Sequence, residues 1–163
     1  MKRQQTLLYE TFASLDELGE ADRQLLCEAE RSAHKAYAPY SGFHVGAAIL
    51  LEDGSVVCGN NQENASYPQG LCAERTALFA ASAQFPEKRI RAIALTAIES
   101  AEPLSPCGGC RQVLLEYEQR QRSPIRIVMG SAGGSAIIVP EAAGLLPLCF
   151  SKDNLSETSP RPQ

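Results

Sequence analysis

Over residues 21–36 the apolar positions Leu25, Leu26, Ala29, Ala33 and Ala36 recur at helical spacing, with Asp22 near the start. This predicts a helix with one face that needs a partner surface. Pro39 and Gly42 in "YAPYSG" then break the pattern. Two apolar runs follow in "FHVGAAILLEDGSVVCG", separated by Glu52-Asp53-Gly54, and predict a hairpin with strands at 43–51 and 55–60. After the polar loop "NNQENASYPQG", the segment "LCAERTALFAASAQF" is rich in Ala and Leu and meets no breaker before Pro86, which predicts a helix over 72–85. "IRAIALTAI" from Ile90 reads as a buried strand, and a loop with Pro103 and Pro106 leads into a further helix, "CGGCRQVLLEYEQR". "IRIVMG" from Ile125 and "AIIVP" read as two more strands, joined by the Gly-rich turn 130–135, which lacks the Lys that a phosphate-binding loop requires. Strands alternating with helices make the fold class α/β, a sheet covered by helices. In the first twenty residues, Leu7, Leu8, Phe12 and Leu15 fit either a packed extension or a short helix. The polar stretch 156–163, with Pro160 and Pro162, is expected to be disordered.

Composition narrows the partner more than the fold. A chain of 163 residues with 44% apolar content suits one domain. Fifteen basic against nineteen acidic side chains give a net charge of −4, and no Lys/Arg cluster forms a stripe that could follow a phosphate backbone. With 6% aromatic residues and no Trp, platforms for stacking single-stranded bases are few, so a small ligand is expected rather than a nucleic-acid polymer. The N-terminus at 1–10 has no apolar run long enough for a signal peptide and no later run approaches the length of a membrane span, so no membrane partner is expected and the expected location is cytoplasmic. Six cysteines without a secretory context are read for metal chemistry before disulfides.

Chemistry concentrates in Cys72-Ala73-Glu74 and Pro106-Cys107-Gly108-Gly109-Cys110. A Cys-x-x-Cys pair alone is half of a structural zinc site, a redox dithiol, or two core cysteines. A third cysteine opening another predicted helix favours metal, because two helix N-termini brought together would offer three soft ligands to one ion. Their partial positive charge would also favour thiolates. Three protein ligands with a fourth position left for water is the arrangement of catalytic zinc. Glu74, taken alone, is a first-turn glutamate favoured by the helix dipole, and Arg75 alone is an exposed helical arginine. Beside a thiolate-bound metal, Glu74 becomes a proton carrier and Arg75 a hydrogen-bond donor to cysteine sulfur. Two other readings compete. In a closed structural zinc site, Cys58 or His44 would be the fourth ligand; in a thiol redox enzyme, Cys107 and Cys110 would act and Cys72 would have no role.

The pairing of Cys-x-Glu with a downstream Pro-Cys-x-x-Cys is the signature of zinc deaminases. With "YAPYSGFHVGAAIL", "ENASYPQGLCAERTALF", "PCGGCRQVLLE" and "LLPLCF" beside it, the chain over 25–155 resembles the cytidine deaminase family in its short, homotetrameric form with three cysteine ligands. The resemblance implies a three-layer fold, a mixed five-stranded sheet between helices. It implies Zn2+ on Cys72, Cys107 and Cys110 and Glu74 as the catalytic proton shuttle. Asn61 and Glu63 would bind the ribose hydroxyls and Phe43 would wall the nucleoside, where without the family they read as loop polar residues and a strand core residue. Phe150 would stack on a base bound in another subunit, so sites would be completed across a homotetramer. The implied reaction is hydrolytic deamination of free cytidine and deoxycytidine to uridine and deoxyuridine with release of ammonia, in pyrimidine salvage. A nucleotide, an aminopyrimidine or an adenine compound is the competing substrate class, and a phosphate is disfavoured by the missing basic cluster and by Glu63. The implied division is an N-terminal extension at 1–20, a catalytic domain at 21–155 and a tail at 156–163. The departures from the family pattern are Gln62 where an aliphatic residue is usual, Cys149 where Ser is common, and the length of the extension.

Overall fold

Strands β2 (Val45–Leu51) and β4 (Ile90–Ala97) are apolar on both faces, and this doubly hydrophobic pattern is what a sheet buried between two helical layers requires. The computed structural model describes residues 1–155, so the expected tail at 156–163 lies outside the described residues. Among the described residues the sheet has six strands, in the order β1 (Glu10–Phe12), β6 (Ala136–Val139), β5 (Arg126–Gly130), β4, β2 and β3 (Val56–Asn60). Only β4 and β5 run parallel; the other four pairings are antiparallel. Helix α1 (Glu20–Ala33) covers one face, while α2 (Ala73–Gln84) and α3 (Gly108–Gln121) cover the other.

The mixed sheet between helices is as expected, but it has six strands rather than five. The additional strand comes from the N-terminal extension, where Glu10, Thr11 and Phe12 pair with Ile138, Ile137 and Ala136. Three residues are too few for an alternation signal, and this strand is held by backbone pairing to an open edge that only the folded sheet provides. The helix expected over 21–36 ends at Ala33, because the amides of Lys35 and Ala36 bond to the carbonyls of Ser32 and Ala33 in tighter turns ahead of Pro39.

Alternation along the strands sorts the core by size. Ala47, Ile49, Leu51, Ile93 and Leu95 meet Ala77, Leu78 and Leu114 on one face, while Ala48, Ala92 and Ala94 meet Leu25, Leu26 and Ala29 on the other. Small residues on the α1 side let that helix lie close: a Cβ on Gly46 would stand 1.9 Å from the Ala29 carbonyl oxygen. Gly59 does the same for α2, since a Cβ there would lie 2.4 Å from the Ala77 amide nitrogen.

Strand direction decides where the chemistry meets. Because β3 and β4 are both antiparallel to β2, they point the same way. The helices that follow them, α2 and α3, therefore begin at the same end of the sheet and on the same face.

The far end of α3 anchors the entry to β5 and the turn that follows β6. Glu118, only 8% exposed, accepts hydrogen bonds from the amides of Ile125 (2.8 Å), Ala142 (2.7 Å) and Ala143 (3.0 Å). Truncating it leaves three backbone donors without an acceptor, so Glu118→Ala is expected to cost about 3 kcal/mol. Thermal unfolding should show this as a midpoint lower by about 10 °C, with the circular dichroism of the folded state retained. An unchanged midpoint would mean that water replaces the carboxylate at no cost.

Candidate active site

Cys72 is the N-cap of α2 and Cys107 the N-cap of α3, and neither side chain makes a capping hydrogen bond. Cys110 lies in the first turn of α3 and is fully buried. The sulfurs of Cys72, Cys107 and Cys110 lie within 4.8 Å of one another, with 3.9 Å between those of Cys72 and Cys107. Tetrahedral zinc with bonds of about 2.3 Å separates two of its sulfur ligands by about 3.8 Å, so the donor set fits the metal in kind and in spacing.

Charge is shared unequally among the thiols. Cys72 is pulled down to about 5, first by a hydrogen bond from Cys110 and then, against the cost of its burial, by Arg75 and Cys107. Cys110 moves up because it donates to Cys72 and is buried. Arg75 Nη2 lies 3.6 Å from the Cys72 sulfur, placing positive charge against it. Glu74, 4% exposed in the first turn of α2, has its pKa raised above the ordinary carboxylate value by burial, and the Cys72 thiolate adds to the rise. A carboxyl shifted upward holds and releases a proton nearer neutral pH, which suits it to proton transfer.

Neither expected candidate for a fourth ligand reaches the cluster. The Cys58 sulfur contacts the Glu28 carbonyl of α1, on the opposite face of the sheet, at 3.9 Å, and His44 Nδ1 pairs with Glu99 at 2.6 Å. Among the described residues the one group of side chains placed to hold a metal ion consists of Cys72, Cys107 and Cys110. Such a set leaves one tetrahedral position for water or substrate, unlike a closed structural site.

A cleft of about 390 Å³ opens beside Cys72, and Asn61 and Glu63 line it. Asn61 Oδ1 accepts from the Val45 amide at 2.8 Å and its Nδ2 donates to the Phe43 carbonyl at 2.9 Å. Glu63 accepts from the Ser41 hydroxyl and from the amides of Tyr40 (2.8 Å) and Ser41 (3.3 Å), and these bonds hold its pKa below the ordinary value, the Ser41 hydroxyl most strongly. Ser41 Oγ in turn accepts from the Phe43 amide at 3.0 Å, which ties Phe43, Asn61 and Glu63 into one bonded loop. Each polar side chain keeps capacity for a ligand: an amide has two donors and two acceptor sites, and a carboxylate about four acceptor sites.

Phe150 is not brought into this cleft; it is 59% exposed and its carbonyl accepts from Gln112 of α3. The sequence reading missed Tyr40, Ser41 and Tyr67, which line the cleft, the two tyrosine rings standing 5.9 Å apart. "YAPYSG" and "SYP" carried the signal only as loops, since no spacing rule shows that two distant turns face each other.

Comparison with known proteins agrees with this arrangement. The sequence profile described as "Cytidine and deoxycytidylate deaminase zinc-binding region" matches residues 19–123. A cytidine deaminase from Halalkalibacterium halodurans is 42% identical over 139 residues, covering 83% of this chain and 99% of its own length. One from Mycobacterium tuberculosis is 40% identical over 134 residues, covering 78% of this chain and 87% of its own. The crystal structure of cytidine deaminase from Burkholderia pseudomallei superposes with a TM-score of 0.70 at 42% identity, over 78% of this chain and 97% of that one.

Proposed function

The chain belongs to the cytidine and deoxycytidylate deaminase family, and from that premise we propose that it hydrolyses free cytidine and deoxycytidine to uridine and deoxyuridine, releasing ammonia. The observation that carries this reading is the open three-sulfur set with the buried glutamate Glu74 in the helical turn that Cys72 caps. Cys72, Cys107 and Cys110 would hold Zn2+. When bound there, zinc supplies a Lewis acid that makes a water nucleophilic at neutral pH.

The protein's own groups do the remaining work. Glu74 takes a proton from water as the water oxygen adds to C4 of cytosine, and delivers it to N3. It then carries the second proton to the exocyclic amine, the C4–N bond breaks, and ammonia departs with that proton. Arg75 offsets the negative charge that three thiolates would otherwise place beside the reacting centre. Asn61 and Glu63 use their spare hydrogen-bonding capacity on the ribose hydroxyls, while Phe43 forms an apolar wall. A free nucleoside is favoured over a nucleotide because, among the described residues, no Lys or Arg lines the cleft, and Glu63 would repel a phosphate.

Residues 21–155 form the catalytic domain in this reading, with 1–20 as its extension. Phe150, exposed and away from its own cleft, reaches the base in a neighbouring subunit of a homotetramer. Among the described residues no helix is long and apolar enough to cross a membrane, and a cytoplasmic role in pyrimidine salvage fits this reading.

The direct test follows cytosine ultraviolet absorbance and ammonia release on zinc-replete protein given cytidine. Conversion is expected to disappear on stringent zinc removal and return with zinc. A folded, zinc-loaded protein that leaves cytidine and deoxycytidine unchanged would overturn the substrate assignment, and CMP and adenosine are the next substrates to try.

A further inference from the structure

Side chains of α3 grip both the loop that carries a candidate metal ligand and the segment that follows β6. Arg111 Nε donates to the carbonyl of Pro106, the residue before Cys107, at 2.8 Å. Its Nη1 donates to the carbonyl of Leu145 at 3.1 Å, at the end of the 3-10 turn Ala142–Leu145. Glu118 holds the start of that turn through the amides of Ala142 and Ala143, and Gln112 holds the segment further on through the Phe150 carbonyl at 2.9 Å. Residues 146–155 contain no helix longer than the three-residue turn Lys152–Asn154, so their position depends on such anchors.

The guanidinium is a planar fork with its donors at fixed angles. Two carbonyls bound to one fork cannot move independently, so displacement of the Pro106 carbonyl weakens the bond to Leu145. We propose that Arg111 is a positioning residue that couples metal binding at Cys107 and Cys110 to docking of residues 146–155 on α3. The proposal rests on the reading of Cys107 and Cys110 as zinc ligands. Metal binding would fix the Pro106-Cys107 backbone, and Arg111 would convey that order to Leu145 and the residues beyond. Coupling of this kind is reciprocal, so a docked segment raises the affinity for zinc by the same factor.

The test uses the full chain, stripped with a chelator and reloaded with zinc, and reads amide hydrogen exchange together with zinc affinity from competition with a chromophoric chelator. In the wild type, residues 146–155 should exchange faster without zinc while the core strand β4 is unchanged. Arg111→Ala should exchange in this segment as fast with zinc as the stripped wild type does, and bind zinc about tenfold to a hundredfold more weakly. Arg111→Lys keeps the charge but not the fork and protects the test against misfolding; it should lose the zinc dependence of exchange in the same way. A merely structural arginine would lower the melting temperature and leave that dependence intact. Zinc-independent exchange of 146–155 in the wild type, or wild-type zinc affinity in folded Arg111→Lys, would overturn the proposal. A wild-type chain that binds no zinc at all would overturn the ligand assignment itself, and the proposal with it.

Discussion

Glu74→Gln is expected to lower kcat by about 10²- to 10⁴-fold, the range for loss of a general acid-base group, while zinc remains bound. The substitution keeps the shape of the side chain, which matters at a position only 4% exposed in the first turn of α2. It removes the one property the reaction needs, a site that accepts a proton from water and gives it up again. Gln is neutral and so avoids the larger cost of burying a charge, and the fold should tolerate the exchange. The cysteine sulfurs are untouched, so metal content separates a chemical defect from a structural one. The measurement is kcat on cytidine beside zinc per chain by elemental analysis. A variant that turns over at the wild-type rate would remove Glu74 from the mechanism, and one that loses zinc would make it a structural support of the site.

Cys107→Ala should abolish zinc binding and activity together. Two remaining thiolates cannot enclose a tetrahedral ion that otherwise has three protein ligands. Cys107 is the better choice of the three for this test. Cys110 is fully buried, and its truncation would leave a cavity in the first turn of α3, whereas Cys107 is exposed and its side chain makes no capping bond. Loss of metal from Cys107→Ala therefore cannot be blamed on an unravelled helix. The check is zinc per chain after dialysis, with circular dichroism to confirm the fold. Full zinc content in a folded variant would exclude Cys107 from the ligand set and reopen the search for another donor.

The three cysteines and the glutamate stood out in the sequence because their grouping is local. Cys72 and Glu74 lie within one helical turn, as do Cys107 and Cys110, and the stops and starts at Pro86 and Pro106 frame both segments. The same holds for the hairpin at Asp53-Gly54, where turn chemistry and flanking alternation agree. Other residues gave no such sign. Glu118 is written as one more charge on a helix face, yet it is buried and accepts from three amides of distant segments. Gly46 and Gly59 look like breaks in strands, and only the closeness of α1 and α2 explains them. Tyr40 and Tyr67 belong to separate loops that form one cleft wall.

Sequence by itself determined the types of the main elements and the class of chemistry, since each depends on residues within a few positions of one another. Tertiary structure alone decided that Cys72 meets Cys107 and Cys110, that Cys58 and His44 stay away, and that Glu10–Phe12 becomes a sixth strand. The physical reason lies in the sheet. With β3 and β4 both antiparallel to β2, two helix N-termini are delivered to one end and one face. The β2–β3 hairpin is local, but the pairing of β4 with β2 depends on which distant backbones share hydrogen bonds, and no local pattern of side chains encodes that.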